Sequence, residues 1–236
     1  MSDNPSDDKW VARFISAKGI PVLITVLQEK NTKKRKNALD VSVQVEVLKA
    51  LEILIQAPRG LKELSVADTL RELVLILDSD DVPLKASMLH LLSFYCLSAG
   101  EPEKGVELIL EAFNAYRRSS KGTISPTRKR FLFVLTNPYL LERKRFETVV
   151  ESLFKVESTD YILHAVTLLN AVVNSPADID KRTQLRSELE GLKLSEALKQ
   201  LSDTYGDHEE LKEQIDIYNE EMEQDRKELA ETAGSR

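Results

Sequence analysis

The sequence predicts an all-α protein, specifically an armadillo-repeat-like α-solenoid with an acidic helix at its C-terminal end. Three observations lead to this prediction. Apolar residues recur at helical spacing, the 8 glycines and 8 prolines fall mostly where helices should start or stop, and similar apolar segments return along the chain. No paired alternating strands and no Asn-Gly or Asp-Gly hairpin turns occur, so no sheet is expected.

The N-terminal half contains the first predicted helices. Pro21 stands in a first helical turn, where its missing N–H has no intrahelical partner. Residues 40–60 begin with alternating β-branched residues that also fit a strand, but their long 3.6-residue period favours a helix that stops at Pro58. Ser65 is the predicted N-cap of the next helix, and Pro83 marks the first turn of the helix after that.

The later helices are predicted by the same signals. Their segments are EPEKGVELILEAFNAYRR, LERKRFETVVESLFK, STDYILHAVTLLNAVVNS and ADIDKRTQLRSELEGL. The segment from Asp207 to Glu231 is also helical in pattern and holds 11 acidic and 3 basic residues, so its net charge is −8. A narrow apolar stripe runs along it, interrupted at Asp225, and consists of Leu211, Ile215, Tyr218, Met222 and Leu229. This helix either seals the last repeat or continues towards a dimer contact.

Three segments share an apolar register and indicate repeats. They are VLKALEIL from Val47, MLHLLSFY from Met88 and VTLLNAVV from Val166. The first two begin 41 residues apart, within the period of armadillo and HEAT repeats, and the next interval is 78 residues. In such a solenoid we expect residues 168–173 to form an inner helix, Pro176 to break the chain, and residues 178–189 to form the first helix of the next repeat.

Composition limits the cellular setting. The chain has 236 residues with a formal net charge of −6, and its apolar runs are too short to cross a bilayer. The N-terminus is acidic where a signal peptide would be basic and then apolar, so the cytosol is the expected location. Residues 1–8 are expected to be flexible. The single cysteine, Cys96, suits a reducing compartment and is expected to be a buried small hydrophobe.

No pattern points to catalysis, and neither a cofactor nor a metal is expected. The three histidines, His90, His164 and His208, lie far apart without any metal-ligand spacing, and no phosphate loop or nucleophile elbow occurs. The DSDD run at 78–81 lacks the glycine and distal glutamate of a calcium hand, so its carboxylates are expected to cap helices. The basic run at 30–36 has no aromatic residues for stacking bases, so no nucleic acid is expected and a solvated loop is the simpler interpretation.

Four stretches resemble a known family: DKWVARFISAKGIPVLITVL, VLKALEILIQAPRGLKEL, LLSFYCL and LLNAVVNSPADIDKRTQLRSELEGLKL. They are similar to the N-terminal regulatory region of diaphanous-related formins, the armadillo-repeat part called the formin-homology-three region or diaphanous inhibitory region. The last stretch is the most specific, because it matches an Asn-Ala pair, a proline and an Arg-x-x-Leu-Arg-x-Glu-Leu helix. The matching residues are Asn170, Ala171, Pro176, Arg182, Leu185, Arg186, Glu188 and Leu189.

The resemblance also implies the domain organisation. It covers about residues 9–232, with the armadillo domain at 9–206 and the acidic helix at 207–232. A basic and apolar insertion at about 117–141 has no counterpart in the family. Its basic part, 117–130, is interpreted as a solvated loop in preference to a contact with phosphate or an acidic membrane, and its apolar part is expected to pack against the solenoid.

The resemblance implies that the chain acts by binding partners in the control of actin assembly, contacting actin only indirectly. In these formins the concave groove holds an amphipathic C-terminal autoregulatory helix, which a Rho-family GTPase displaces. The positions implied for the groove are Leu168, Ala171, Asn174, His90 and Phe94. Those implied for the GTPase are Gln56, Ala57 and Arg59. The family also implies a cytoskeletal location and dimerisation through the C-terminal helix.

Two departures from the family pattern predict weak GTPase binding. Members that bind Rho generally have an asparagine pair where this chain has Gln56 and Ala57, and a helical subdomain where this chain has only about nine leading residues. The actin-assembling half has no counterpart here, so the chain is expected to be a fragment of a longer formin or a short stand-alone relative. The alternative function is a generic armadillo scaffold for an unrelated partner.

Overall fold

The computed structural model describes residues 9–33, 35–98, 102–119 and 144–234, and throughout these residues the secondary structure is helical, without strands. The helices are α1 (Lys9–Ser16), α2 (Gly19–Asn31), α3 (Ala38–Ile55), α4 (Pro58–Leu64), α5 (Ala67–Val74), α6 (Val82–Ser98), α7 (Pro102–Ser119), α8 (Glu147–Leu153), α9 (Thr159–Asn174), α10 (Ile179–Glu190), α11 (Leu194–Tyr205) and α12 (Glu209–Gly234). A short 3-10 helix, Leu75–Asp78, follows α5. The all-α prediction is therefore confirmed.

The N-terminus of α3 shows why this segment is helical despite its β-branched start. Asn37 and Asp40 form a reciprocal capping box, in which the Asp40 N–H donates to Asn37 Oδ1 at 2.8 Å and the Asn37 N–H donates to Asp40 Oδ2 at 3.2 Å. Two backbone donors that a helix would otherwise leave unpaired are thereby satisfied. Local capping and the long apolar period act together, and the strand alternative is excluded.

Other helix starts also carry side-chain caps. Asp81 accepts from the Leu84 N–H at 2.7 Å at the start of α6, and Asp178 accepts from the Asp180 N–H at 3.0 Å at the start of α10. Ser158 caps α9. The carboxylate of Asp81 thus caps a helix, as the sequence predicted for the DSDD run.

Ser65 does not cap α5, so that prediction was wrong. The N-cap of α5 is Val66, which makes no side-chain cap. The Ser65 hydroxyl instead donates back to the Leu61 carbonyl at 2.7 Å and accepts from the Tyr95 hydroxyl at 2.9 Å. Serine can bond to the preceding turn as well as to the following one, and the tertiary contact with Tyr95 selects the former.

The long helices α3, α6, α9 and α12 form a row in which each helix contacts the next, and we call it the inner row. The three segments that share an apolar register belong to α3, α6 and α9, so the predicted repeat corresponds to successive helices of this row. Outside the row α5 packs on α7, and α11 packs on α8. The architecture is the predicted armadillo-like solenoid.

One continuous hydrophobic core runs through the described helices. Cys96 lies within it, and burial raises the pKa of its thiol to about 12, so this residue is the predicted buried hydrophobe. Pro176 separates α9 from α10, as expected. Within the described ranges no single helix is long and apolar enough to span a bilayer; α1 and α2 pass that test only as a pair bent by 66°.

Two predicted features lie partly or wholly outside the described residues. Segment 1–8, which was predicted to be flexible, lies wholly outside them. The predicted insertion lies outside them from residue 120 onwards, whereas its first residues, Arg117 and Arg118, are in the last turn of α7.

The basic run at 30–36 is only partly a solvated loop. Lys30 and Lys33 pair with the Asp40 carboxylate at 3.1 and 2.6 Å, and these cations hold the pKa of Asp40 well below its usual range.

Candidate functional site

Three helices of the inner row, α3, α6 and α9, share a solvent-exposed side around Glu52, His90 and His164, which we call the groove face. A cavity of about 300 Å³ connects α3, α6 and α9 on this side. Its polar lining comes from all three helices and the cap of α9, and consists of Lys49, Glu52, Ser87, His90, Ser158, Asp160 and His164. Such a surface can receive a partner that spans several helices.

Two histidines meet at the centre of the groove face. The rings of His90 on α6 and His164 on α9 are stacked, with centroids 4.6 Å apart and planes 28° apart. The Glu52 carboxylate of α3 lies 3.6 Å from His90 Nδ1. Burial, followed by the proximity of His90, lowers the pKa of His164, whereas Asp160 and Glu210 oppose this shift.

The five predicted groove positions fall into two groups. His90 and Phe94 are partly exposed on α6, where a partner could contact them. Leu168 is fully buried and Ala171 is only 6% exposed, so in this conformation their side chains belong mainly to the core of α9. The partly exposed positions on α9 are Thr159, Leu163, His164, Thr167 and the predicted Asn174. The assignment of Leu168 and Ala171 to a partner contact stays a prediction.

Asn174, the fifth predicted position, has a structural partner. Its Oδ1 accepts from Arg186 Nη2 at 2.7 Å. The side chain is thereby held against α10. A partner that contacted Asn174 would meet an amide whose orientation this bond fixes.

The Arg-x-x-Leu-Arg motif of α10 forms a buried ionic cluster with α12, which sequence reasoning did not identify. Asp225 is buried and accepts from Arg182 Nε at 2.8 Å and from Arg186 Nε at 2.7 Å. Arg182 also bonds Glu228 Oε2 and, through Nη1, the carbonyls of Pro176 and Ala177. The sequence does contain a signal for this cluster, because Asp225 is a charged residue inside the apolar stripe of α12. The helix that it faces, α10, carries two arginines.

The stripe of α12 packs on its own solenoid. Leu211, Ile215 and Tyr218 are buried, and α12 contacts α9, α10 and α11. Arg186 lies over the Tyr218 ring at 5.3 Å, and burial raises the pKa of the Tyr218 hydroxyl to about 12. The first turns of α12 thus seal the last repeat, which was one of the two predicted roles. Dimerisation through this helix stays a prediction.

The residues predicted to face a GTPase lie where α3 gives way to α4. Gln56 is exposed and caps the C-terminus of α3, whereas Ala57 is buried. Arg59 is exposed, and its Nη1 donates to Ser16 Oγ of α1 at 2.9 Å. Gly60 brings α4 close to α3, because a Cβ there would lie 1.9 Å from the Leu54 carbonyl oxygen.

A second, larger cavity of about 710 Å³ opens beside Gln56, between α3, α4, α6 and α7. Its lining includes the apolar side chains of Ile55, Leu61, Phe94, Tyr95 and Leu108 and the cations Lys62 and Lys104. Two apolar residues on the same inner helices are exposed, Ile53 at 49% and Leu97 at 65%. We call the cavity, with Gln56 and Arg59, the α3–α4 edge; Phe94, which was predicted for the groove, lines this cavity.

The described ranges contain no group of three or more histidine, cysteine or acidic side chains placed to hold a metal ion. His208 lies apart from the stacked pair, at the start of α12, where its Nδ1 accepts from the Leu211 N–H. Within the described structure, the arrangement of these side chains provides surfaces for binding.

Two family models match the chain. The Diaphanous GTPase-binding domain matches residues 7–97, and the Diaphanous FH3 domain matches residues 127–235. The first contains the α3 and α4 residues of the α3–α4 edge and all but the last residue of α6, whereas the α7 lining of that edge lies beyond it. The second contains α9 and the Arg182–Arg186–Asp225 cluster. Together the two models extend over most of the chain.

Similar proteins agree with the family models. Formin-F from Dictyostelium discoideum is 30% identical over 229 residues, which is 94% of this chain and 17% of that protein. Protein diaphanous homolog 2 from Mus musculus is 27% identical over 224 residues, which is 94% of this chain and 18% of that protein. The chain therefore spans less than a fifth of the length of these relatives.

A solved structure shares the fold. It is that of Entamoeba histolytica Formin1 bound to EhRho1-GTPγS, with a TM-score of 0.72, 13% sequence identity, and coverage of 97% of this chain and 71% of that chain. The helix order, the two family models and these relatives lead to one conclusion: this chain belongs to the diaphanous-related formins, as their N-terminal GTPase-binding and FH3 regulatory region.

Proposed function

We propose that this chain is a regulatory binding module in the control of actin assembly, with one site for a Rho-family GTPase and another for an amphipathic autoregulatory helix. It acts in the cytoplasm at the cytoskeleton, by binding and without catalysing a reaction. The observation that carries the proposal is the GTPase-binding-domain match over residues 7–97, which contains Gln56, Arg59 and the part of the α3–α4 edge that α3, α4 and Phe94 form. The solved formin with the same fold is bound to a Rho GTPase.

The α3–α4 edge is suited to a protein partner. Its cavity combines apolar walls with the cations Lys62 and Lys104, and Ile53 and Leu97 expose further apolar surface on the same helices. Interfaces commonly join an apolar centre to a charged rim in this way. Gln56 retains the amide that the family's asparagine would offer, whereas Ala57 offers neither a polar group nor much exposed surface.

The groove face is suited to a helix. Phe94, His90, His164 and Thr167 present a half-exposed path from α6 to α9, and a guest helix would cover it with side chains one turn apart. Because Phe94 also lines the α3–α4 edge, the two partners would meet at the same aromatic ring. Binding of the GTPase would then oppose binding of the helix.

Calorimetry with a Rho-family GTPase loaded with GTPγS or GDP tests the first site. We expect binding that depends on GTPγS, with a dissociation constant of tens of micromolar because of the Gln56 and Ala57 departures. Lys62→Glu should abolish it, whereas Lys199→Glu, the same charge change on the exposed face of α11, should leave it intact. Gln56→Asn should tighten it. Equal binding of both nucleotide states, or none, would reject a GTPase site.

Fluorescence anisotropy with a C-terminal autoregulatory peptide of a formin tests the second site. Phe94→Ala and Thr167→Glu should weaken binding at least tenfold while the melting temperature changes little, because both side chains are partly exposed. Ala171→Asp should instead lower the melting temperature, because it places a carboxylate in a buried position. If the peptide binds all three variants as it binds the unmodified chain, the groove assignment is wrong and the generic scaffold gains support.

A further inference from the structure

We propose that the stacked pair His90–His164 is a proton-sensitive contact between α6 and α9. The two rings stay stacked while at most one imidazole is charged, and they separate when both are charged. The inference goes beyond partner binding and concerns the chain alone. It starts from geometry: two half-exposed imidazoles on neighbouring inner helices stack at 4.6 Å across the polar cavity of the groove face.

The position of Glu52 distinguishes the two rings. Its carboxylate lies 3.6 Å from His90 Nδ1, so a proton on His90 gains an ion pair. For His164, both burial and the neighbouring His90 disfavour the charged form. Protonation of both rings would place two cations face to face at the 4.6 Å separation of the stack.

Charges of both signs surround the pair. Lys49 of α3 lines the same cavity and is itself paired with Glu46 at 2.9 Å, and Lys85 of α6 lies 5.8 Å from the centre of the Tyr161 ring on α9. Asp160 of α9 and Glu210 of α12 favour the charged form of His164, but burial and His90 outweigh them. At a separation near that of the rings, two unit charges repel by several kcal/mol even at an effective dielectric constant of about 20.

The sign of the stability effect follows from linkage. Because the pKa of His164 is lower in the folded chain than the ordinary value of 6.5, the unfolded chain binds more protons as the solution is acidified. The stability that the neutral ring contributes is fully present above pH 6.5 and is lost as the pH falls towards the folded-state pKa. We therefore expect the contact between the two rings to weaken in mild acid.

Nuclear magnetic resonance titration of the histidine rings tests the coupling in the intact chain. We expect His164 to titrate below its ordinary range, and its midpoint to rise by at least about half a pKa unit in His90→Gln, because the neighbouring charge is then absent. His208→Asn is the matched control, since it replaces a histidine outside the stack and should leave the His164 midpoint unchanged. An unchanged midpoint in His90→Gln would overturn the proposal.

Melting temperatures at pH 7.5 and pH 5.0 test the opening. The fall in melting temperature on acidification should be about 3 °C smaller in His164→Gln than in the unmodified chain, because one depressed pKa no longer contributes. His208→Asn should keep the slope of the unmodified chain. Equal slopes in all three proteins would show that the stack does not open on protonation, and would overturn the proposal whether or not any peptide binds the groove.

Discussion

Helices of the solenoid are joined by two different kinds of polar contact. Between α6 and α9 the groove face carries a half-exposed pair of titratable rings, His90 and His164. Beyond α9, the contact of α10 with α12 is a buried cluster in which Asp225 lies between Arg182 and Arg186. The first contact joins two imidazole rings, a group whose charge depends on pH, and the second joins a carboxylate to two arginines, which stay protonated. We call the His90–His164 contact between α6 and α9 the adjustable joint, and the Arg182–Arg186–Asp225 cluster between α10 and α12 the fixed joint.

Asp225→Ala would break the fixed joint and should give the largest effect. Removing the carboxylate leaves Arg182 and Arg186 without their buried partner, so we expect the free energy of unfolding to fall by about 3–5 kcal/mol. Urea unfolding measures this loss. Glu223→Ala, which removes an exposed carboxylate of the same helix, should change it by less than about 0.5 kcal/mol. Equal losses of unfolding free energy in the two variants would mean that the buried cluster stabilises the fold no more than an exposed ion pair does.

Leu168→Ala separates the core of α9 from its groove face. Leu168 is fully buried one helical turn after His164, and we expect a loss of about 3 kcal/mol from the removed side chain and the cavity that remains. Thr167→Ala, its half-exposed neighbour, should cost less than about 1 kcal/mol. If urea unfolding gave similar losses for the two variants, the division of α9 into a buried and a groove side would be wrong.

Asp81→Ala tests the cap at the N-terminus of α6, the helix that carries His90. Loss of the bond to the Leu84 N–H should reduce stability by about 1 kcal/mol. Asp80→Ala is the matched control, because Asp80 is exposed and does not cap the helix. Thermal unfolding distinguishes them, and a larger loss for Asp80→Ala would contradict the assignment of the cap.

Glu52→Gln should give the smallest effect at neutral pH. Its contact with His90 is 3.6 Å long and both side chains are partly exposed, so we expect a change below about 0.5 kcal/mol at pH 7.5. Melting curves at pH 7.5 check this, and a loss as large as that of Asp81→Ala would contradict the weak contact.

The fold could be predicted from the sequence because its signals are local. The apolar periodicity of residues 40–60 and the break at Pro176 each act within a few residues, and the structure has the corresponding helices and boundary. Ser65 was assigned wrongly because its hydroxyl has a distant partner, Tyr95, which a local rule cannot detect.

The candidate site was less accessible to sequence reasoning, since it depends on which helices are neighbours. Helical spacing places Leu168 and Ala171 on one side of α9, but only the packing shows that this side is buried. Likewise, His90 and His164 are far apart in the chain and meet only because α6 and α9 are adjacent. The pairing of Asp225 with α10 is non-local for the same reason.

The ionic cluster has a consequence for the order in which the solenoid can form during synthesis. Arg186 and Asp225 are separated by 39 positions, and Arg182 and Asp225 by 43. While a ribosome is still adding the residues of α12, the two arginines of α10 have no buried counter-charge, and burying them is unfavourable. The last repeat must therefore wait for α12 to emerge, whereas the first helices have all their partners earlier. A nascent chain that pauses between α10 and α12 would keep the arginines of α10 exposed to chaperones.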